Sequence, residues 1–264
     1  MKIKRILLTG DDGYNSIGIR LLVRFLKDKY ELNICATKVQ QSGVGGMLNI
    51  QHGGKWEEGV IDGVKAIYVS GTPGDAMELA RVMFSKDFDL VISGINLGPN
   101  ITGELASGTM TAAVRAIKLH LAKQAIAFSW NAPAAIWYHD HVGTENLKVY
   151  ADYPGKTAIK LFELAVKNNF WGNLVLNVNF PEQPTVKVKF TRFAYYLDDF
   201  FAPLNLDKKT RRYTYPFGIH PHLKGFVNTD ADVLRAGYIS VTPCQPDILN
   251  YDSFHALKGK VINL

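Results

Sequence analysis

The 264-residue sequence predicts an α/β fold, with a doubly wound, mostly parallel sheet followed by a less regular, β-rich extension. Three observations carry that expectation. Through residues 1–130, short apolar runs alternate with stretches whose apolar residues recur at spacings of three and four, as strands alternating with amphipathic helices require. Most of the apolar runs end in polar, glycine-rich segments, where ligands of such sheets bind. The stretch 190–226 breaks the pattern, being rich in aromatics and interrupted by Pro203, Pro216 and Pro221.

Residues 4–9 (KRILLT) read as the first strand, ending in Gly10-Asp11-Asp12-Gly13. Ile17, Leu21, Leu22 and Phe25 then share one face of a helix. A second strand over 32–36 leads into the polar stretch 40–46, which contains Ser42. A third strand near 64–69 runs into Gly71-Thr72-Pro73-Gly74-Asp75 and a helix over 75–84. There Thr72 suits the N-cap, Pro73 the first helical position, and Asp75 the return bond of a capping box. A fourth strand over 89–92 ends in Ser93-Gly94-Ile95-Asn96. A long loop follows, and Ser107-Gly108-Thr109 opens a helix over 109–122. Residues 124–129 give a fifth strand, 155–168 a helix, and 174–179 a strand stopped by Pro181. Right-handed crossovers place helices on both faces of the sheet. The chain is read as one domain, 1–264, with a core over 1–182 and an extension over 183–264. The aromatics of 190–226 (among them Phe193, Tyr195, Phe201, Tyr213, Tyr215 and Phe217) suggest hairpins forming an arm that is buried against another subunit.

Composition narrows the class. At 47% hydrophobic and 20% charged residues, the chain is an ordinary globular sequence. The net charge of +6 is spread evenly, fifteen basic against twelve acidic residues in each half. It fits attraction of a small anion and lacks the concentrated footprint of a nucleic-acid binder. Cys35 and Cys244 show no CxxC spacing and read as reduced thiols. The start, MKIKRILLTGDDG, is too short in apolar residues for a signal peptide or a membrane span, so a cytoplasmic location is expected.

Candidate chemistry sits at the strand ends. Adjacent carboxylates such as Asp11 and Asp12 repel each other and need a cation or hydrogen bonds to coexist, and oxygen-only ligands suit Mg²⁺, Mn²⁺ or Ca²⁺. The pair could also be turn residues before Gly13. Ser42 offers a weak metal ligand or is a loop serine. Asn96 can ligate a hard cation and Asn100 can donate to an anion, or both serve the glycine-rich turn. Ser107, Gly108 and Thr109 open a helix whose free N–H groups suit phosphate, with ordinary capping as the alternative. His139 and His141, like His220 and His222, have an i,i+2 spacing without a third ligand nearby in sequence. No P-loop, G-x-G-x-x-G or G-x-S-x-G motif occurs in these contexts.

Taken together, DDG at 11–13, QSG at 41–43, GTPGD at 71–75, SGINLGPN at 93–100 and SGTMTAA at 107–113 resemble the survival protein SurE family of nucleotidases. LNVNFPE at 176–182 and residues 230–247 extend the likeness along nearly the whole chain. The resemblance implies a Rossmann-like core and hydrolysis of nucleoside 5′- and 3′-monophosphates, with short polyphosphate as a further substrate. It also implies one Mg²⁺ or Mn²⁺ per subunit, held by Asp11, Asp12, Ser42 and Asn96, and phosphate contacts at Asn100, Ser107, Gly108 and Thr109. Dimers or tetramers built through C-terminal segments are implied as well. Where the family usually has Asn before its aspartates, a basic residue before its Ser-Gly, and GTP-Thr-Asp, this chain has Gly10, Gln41 and GTP-Gly-Asp.

The expected chemistry is cation-assisted hydrolysis in which Asp11 holds or deprotonates the attacking water and Asp12 mainly binds the ion. A non-hydrolytic nucleotide-sensing module is the alternative, and phosphate release separates the two. An aspartyl-nucleophile phosphatase would carry D-x-D after the first strand, which Asp11-Asp12-Gly13 does not supply.

Overall fold

The structure is a computed structural model describing residues 2–84, 87–103, 105–137, 139–171, 174–195, 201–216 and 228–246, together with His255 and Lys258. Its centre is β1 (Arg5–Thr9), where Ile6 and Leu8 point to one face and Leu7 to the other. All three are fully buried, as a central strand covered on both sides requires. β1 pairs in parallel with β2 (Glu31–Thr37) on one side and β5 (Leu90–Leu97) on the other. β2 continues to β4 (Val64–Val69) and then to the antiparallel edge strand β3 (Trp56–Ile61). Beyond β5 come β6 (Ala125–Trp130) and β7 (Val175–Phe180), both parallel. β11 (Ile239–Cys244) then pairs antiparallel to β7, and β8 (Val188–Phe190) parallel to β11. The nine strands thus run β3-β4-β2-β1-β5-β6-β7-β11-β8. The chain order reverses about β1, so the carboxyl ends of β1 and β5 flank the topological switch point.

Helices cover both faces. α1 (Ile17–Leu26) and α5 (Thr157–Asn168) pack on one, α2 (Pro73–Met83) and α3 (Gly108–Lys118) on the other. The short α4 (Lys148–Tyr150) leads through a π-like stretch into α5. α1 docks at backbone range, since a Cβ on Gly18 would lie 1.9 Å from the Ile95 carbonyl oxygen. This fixes the start of α1 against the end of β5. The capping box at Thr72 and Asp75 forms as expected, with both reciprocal bonds in place.

Three features were not expected. β3 adds an antiparallel edge, β5 runs five residues beyond the anticipated end at 92, and α6 (Asp230–Arg235) with β11 folds part of the extension back onto the core. β5 stays regular to Ser93 and shifts register against β6 between Ser93 and Asn96. Asn96 therefore lies within the strand, opposite Ser129, instead of in a following loop. A separate hairpin, β9 (Asn205–Asp207) with β10 (Arg212–Thr214), occupies part of the anticipated arm. The arm's Phe217 and the histidines His220 and His222 lie outside the described residues. Among the described residues no helix is long and apolar enough to cross a membrane.

Candidate active site

Asp11 and Asp12 leave β1 at the switch point, and both are only 4% exposed. Asp12 Oδ2 accepts the Leu97 N–H at 2.9 Å, and Oδ1 accepts Gln40 Nε2 at 3.4 Å. Asp11 Oδ1 accepts the hydroxyl of Thr109. Burial pushes the Asp11 carboxyl up, against the opposing pull of the Thr109 hydroxyl and the N–H groups of Thr109 and Gly108. Burial, then the charge of Asp11, push Asp12 up to about 7. Every partner named here is neutral. Two buried carboxylates held side by side by neutral donors form an oxygen donor set that a hard divalent cation fits, because the cation supplies the missing positive charge.

Backbone bonds draw the other loops to this pair. The Gln41 N–H donates to the Asp11 carbonyl at 2.7 Å, bringing the Ser42 turn alongside, and the Gly45 N–H donates to Ala106 just before α3. α3 begins so close to Asp11 that a Cβ on Gly108 would sit 2.6 Å from Asp11 Oδ2. Ser107 caps α3, its Oγ accepting the Met110 N–H at 3.0 Å. That bond uses a lone pair and leaves the hydroxyl hydrogen to donate.

Above the carboxylates lies a cavity of about 210 Å³, lined by Asp11, Ser42, Asn96, Asn100, Ser107 and the apolar Trp137 and Phe201, among others. Asn96 Nδ2 donates to the Gly98 carbonyl at 2.8 Å, so its Oδ1 remains as an acceptor. Asn100 is braced from four directions. Its N–H donates to Asn179 Oδ1 and its Nδ2 to Ser129 Oγ, while Asn177 and Asn179 donate to its carbonyl, all at 2.7–2.9 Å.

All eight sequence candidates therefore meet at one sheet edge. Asp11, Ser42, Asn96, Asn100 and Ser107 reach the cavity wall. Asp12, Gly108 and Thr109 stand behind it, with the Thr109 hydroxyl turned onto Asp11. Sequence reasoning missed Gln40, which bridges Asp12 to the Trp137 carbonyl at 2.9 Å, and the cavity residues Trp137 and Phe201. It also missed Asn177 and Asn179 as supports, although two asparagines in the otherwise apolar run VLNVNF were a visible signal.

The sequence model described as survival protein SurE matches residues 6–198 of this chain. The chain belongs to the survival protein SurE family. Its SurE relatives include the 5′-nucleotidase SurE of Archaeoglobus fulgidus, 32% identical over 97% of this chain and 96% of that protein. The 5′-nucleotidase SurE of Methanopyrus kandleri is 32% identical over 92% of each chain. The crystal structure of SurE from Aquifex aeolicus superposes with a TM-score of 0.67 at 27% identity, covering 96% of this chain and 98% of that one. The SurE likeness thus covers the extension as well as the core, and the Rossmann-like sheet is shared.

Proposed function

We propose that this SurE-family chain is a phosphoric monoester hydrolase, a divalent-cation-dependent nucleotidase that releases phosphate from nucleoside 5′-monophosphates, with 3′-monophosphates and short polyphosphate as further substrates. The observation that carries the reading is the buried Asp11-Asp12 pair, whose hydrogen-bond partners among the described residues are all neutral, beneath a cavity that meets the start of α3. The 5′-nucleotidase relatives support it.

Asp11, Asp12, Ser42 and Asn96 would hold the ion, Mg²⁺ or Mn²⁺ by the hardness of these donors. When bound, such an ion supplies Lewis-acid polarisation of the phosphoryl group. The rest falls to the chain's own groups. Asp11 would hold or deprotonate the attacking water at its carboxylate, and the Thr109 hydroxyl on Oδ1 keeps that carboxylate oriented. Ser107 donates its free hydroxyl hydrogen to a phosphoryl oxygen. Asn100 donates the second hydrogen of Nδ2, the first being fixed on Ser129. The positive end of α3 adds its dipole to this site, while the N–H groups at Gly108 and Thr109 pull on Asp11. Trp137 and Phe201 give the cavity an apolar wall suited to a nucleoside.

We read residues 1–264 as one unit, with 183–264 contributing β8 and β11 to the sheet and the β9-β10 hairpin as an oligomerisation arm for a dimer or tetramer. The buried free thiols of Cys35 and Cys244 suit a reducing, cytoplasmic compartment.

The test is phosphate release from a panel of nucleoside monophosphates with Mg²⁺, Mn²⁺ or chelator. Release that chelator abolishes is expected, and Asp12→Asn should remove both cation binding and turnover. Metal-dependent nucleotide binding without release from any substrate would make the chain a sensor instead. Full activity in Asp12→Asn would overturn the site.

A further inference from the structure

Asn177 and Asn179 hold the loop carrying Asn100 from the sheet side, and the extension holds it from the other. Asp230, the first residue of α6, is fully buried, and its Oδ2 accepts the Thr102 N–H at 2.7 Å. Its Oδ1 accepts the N–H groups of Ala194 at 2.8 Å and of Ala231 at 2.9 Å. We propose, on the reading of Asn100 as a phosphate contact, that Asp230 is a positioning residue of that subsite. It clamps the loop two residues beyond Asn100, so that the Asn100 amide keeps its aim.

A carboxylate in the first turn of a helix ordinarily serves that helix alone, answering its own free N–H groups. Asp230 reaches much further. Only the Ala231 bond is local, whereas Thr102 lies 128 residues away in the sequence and Ala194 lies 36 away. Its hydrogen-bond partners among the described residues are all backbone N–H groups, with no basic side chain to offset the buried charge. The two oxygens of a carboxylate accept in both directions at once. An asparagine would turn its NH₂ group onto either the Thr102 N–H or the pair from Ala194 and Ala231.

Thr102 shows what the clamp restrains. Its backbone is left-handed, with φ at +64°, a conformation disfavoured for a β-branched residue. The bond from its N–H to Asp230 holds it there. Between Asn100 and Thr102, Ile101 is fully buried and forms part of the cavity wall. It packs with Ala194, Ala231 and Leu234, and Phe201 of the opposite wall joins the same cluster. The extension therefore grips the loop twice, by a polar contact at Thr102 and an apolar one at Ile101. Released from Asp230, Thr102 would relax toward negative φ and carry Ile101 with it. The second hydrogen of Asn100 Nδ2 would then no longer point at a phosphoryl oxygen.

The test is calorimetric titration of the full chain with inorganic phosphate under saturating Mn²⁺. It is run beside the Mn²⁺ titration itself, a thermal melt and the KM for a nucleoside 5′-monophosphate. Asp230→Ala should weaken phosphate binding at least about tenfold, the scale of one misaimed charge-assisted hydrogen bond, and raise KM by a similar factor. Mn²⁺ binding should stay unchanged, because Asp11, Asp12, Ser42 and Asn96 lie outside the clamped loop. Asp230→Asn, which keeps the volume and one acceptor, should fall between, and it replaces Asp230→Ala if that variant does not fold. Thr102→Gly removes the strain, so alone it should bind phosphate like the wild type, and combined with Asp230→Ala it should recover most of the loss. A residue needed only for folding would lower the melt and leave the affinity of the folded protein as it was. Wild-type phosphate affinity in either folded Asp230 variant, no recovery in the double variant, or Mn²⁺ binding lost together with phosphate would overturn the proposal. A chain that is no hydrolase would show itself separately, by binding phosphate yet releasing none from any substrate, and the variants' phosphate affinities would still decide the role of Asp230.

Discussion

Gly108 decides how near the start of α3 can come to Asp11. A methyl group there would press on the Asp11 carboxylate at 2.6–2.7 Å, and the carboxylate would yield because α3 is anchored by its buried alanines. Gly108→Ala should therefore lower phosphate release by about a hundredfold, the cost of misplacing a reacting group by roughly an ångström. The same assay alongside a thermal melt checks this, and an active variant with an unchanged melt would mean the close approach is idle. At this scale the candidate residues were legible in the sequence, but their bracing was not. Asp11, Asp12, Ser107 and Thr109 were legible because paired carboxylates and a helix start have physical signatures in a short window. Gln40 and Trp137 were not, because they meet across 97 residues and neither belongs to a local pattern.

Among elements, α6 shows how the extension steadies the cavity. Its first residue, Asp230, accepts N–H bonds from Thr102, Ala194 and Ala231, tying the loop after Asn100 to the segment before Tyr195. Burial pushes the Asp230 carboxyl up to about 6 against those bonds. The folded chain therefore holds this proton more tightly than the unfolded chain, whose carboxyl titrates near 3.8. The stabilising contribution is present in full below about 4 and is lost as pH rises through about 6. Urea titrations should show the stability of the wild type, minus that of Asp230→Asn, falling by up to about 3 kcal/mol over that window. A flat difference would count against the raised value. Strands and helices with strong periodicity were legible up to β7. The edge strand β3 was not, because its alternation is mostly of exposed residues, and β5 was cut short because Ser93-Gly94 reads as a turn.

For the whole molecule, the β9-β10 hairpin leaves Tyr213 63% and Tyr215 70% exposed, with Leu204 and Leu206 nearby. Such a surface on a two-stranded ribbon, too small to be stable alone, is the one that the proposed second copy would cover. Replacing both tyrosines with serine should shift the subunit equilibrium toward monomer by at least about tenfold in light scattering, since buried aromatics dominate interface energetics. An unchanged mass would place the interface elsewhere. The irregular stretch was visible in the sequence as a break in periodicity, but the pairing of its hairpin was not, because aromatic runs broken by prolines fix no register. The bond from the Leu97 amide to Asp12 has a different use. That amide belongs to β5 in the rigid middle of the sheet, yet its hydrogen points at the pair proposed to grip the ion. In an isotope-labelled sample its single resonance should move when the cation enters and stay still when Asp12 is replaced by Asn. The sheet thus carries its own occupancy gauge, readable before any substrate is added.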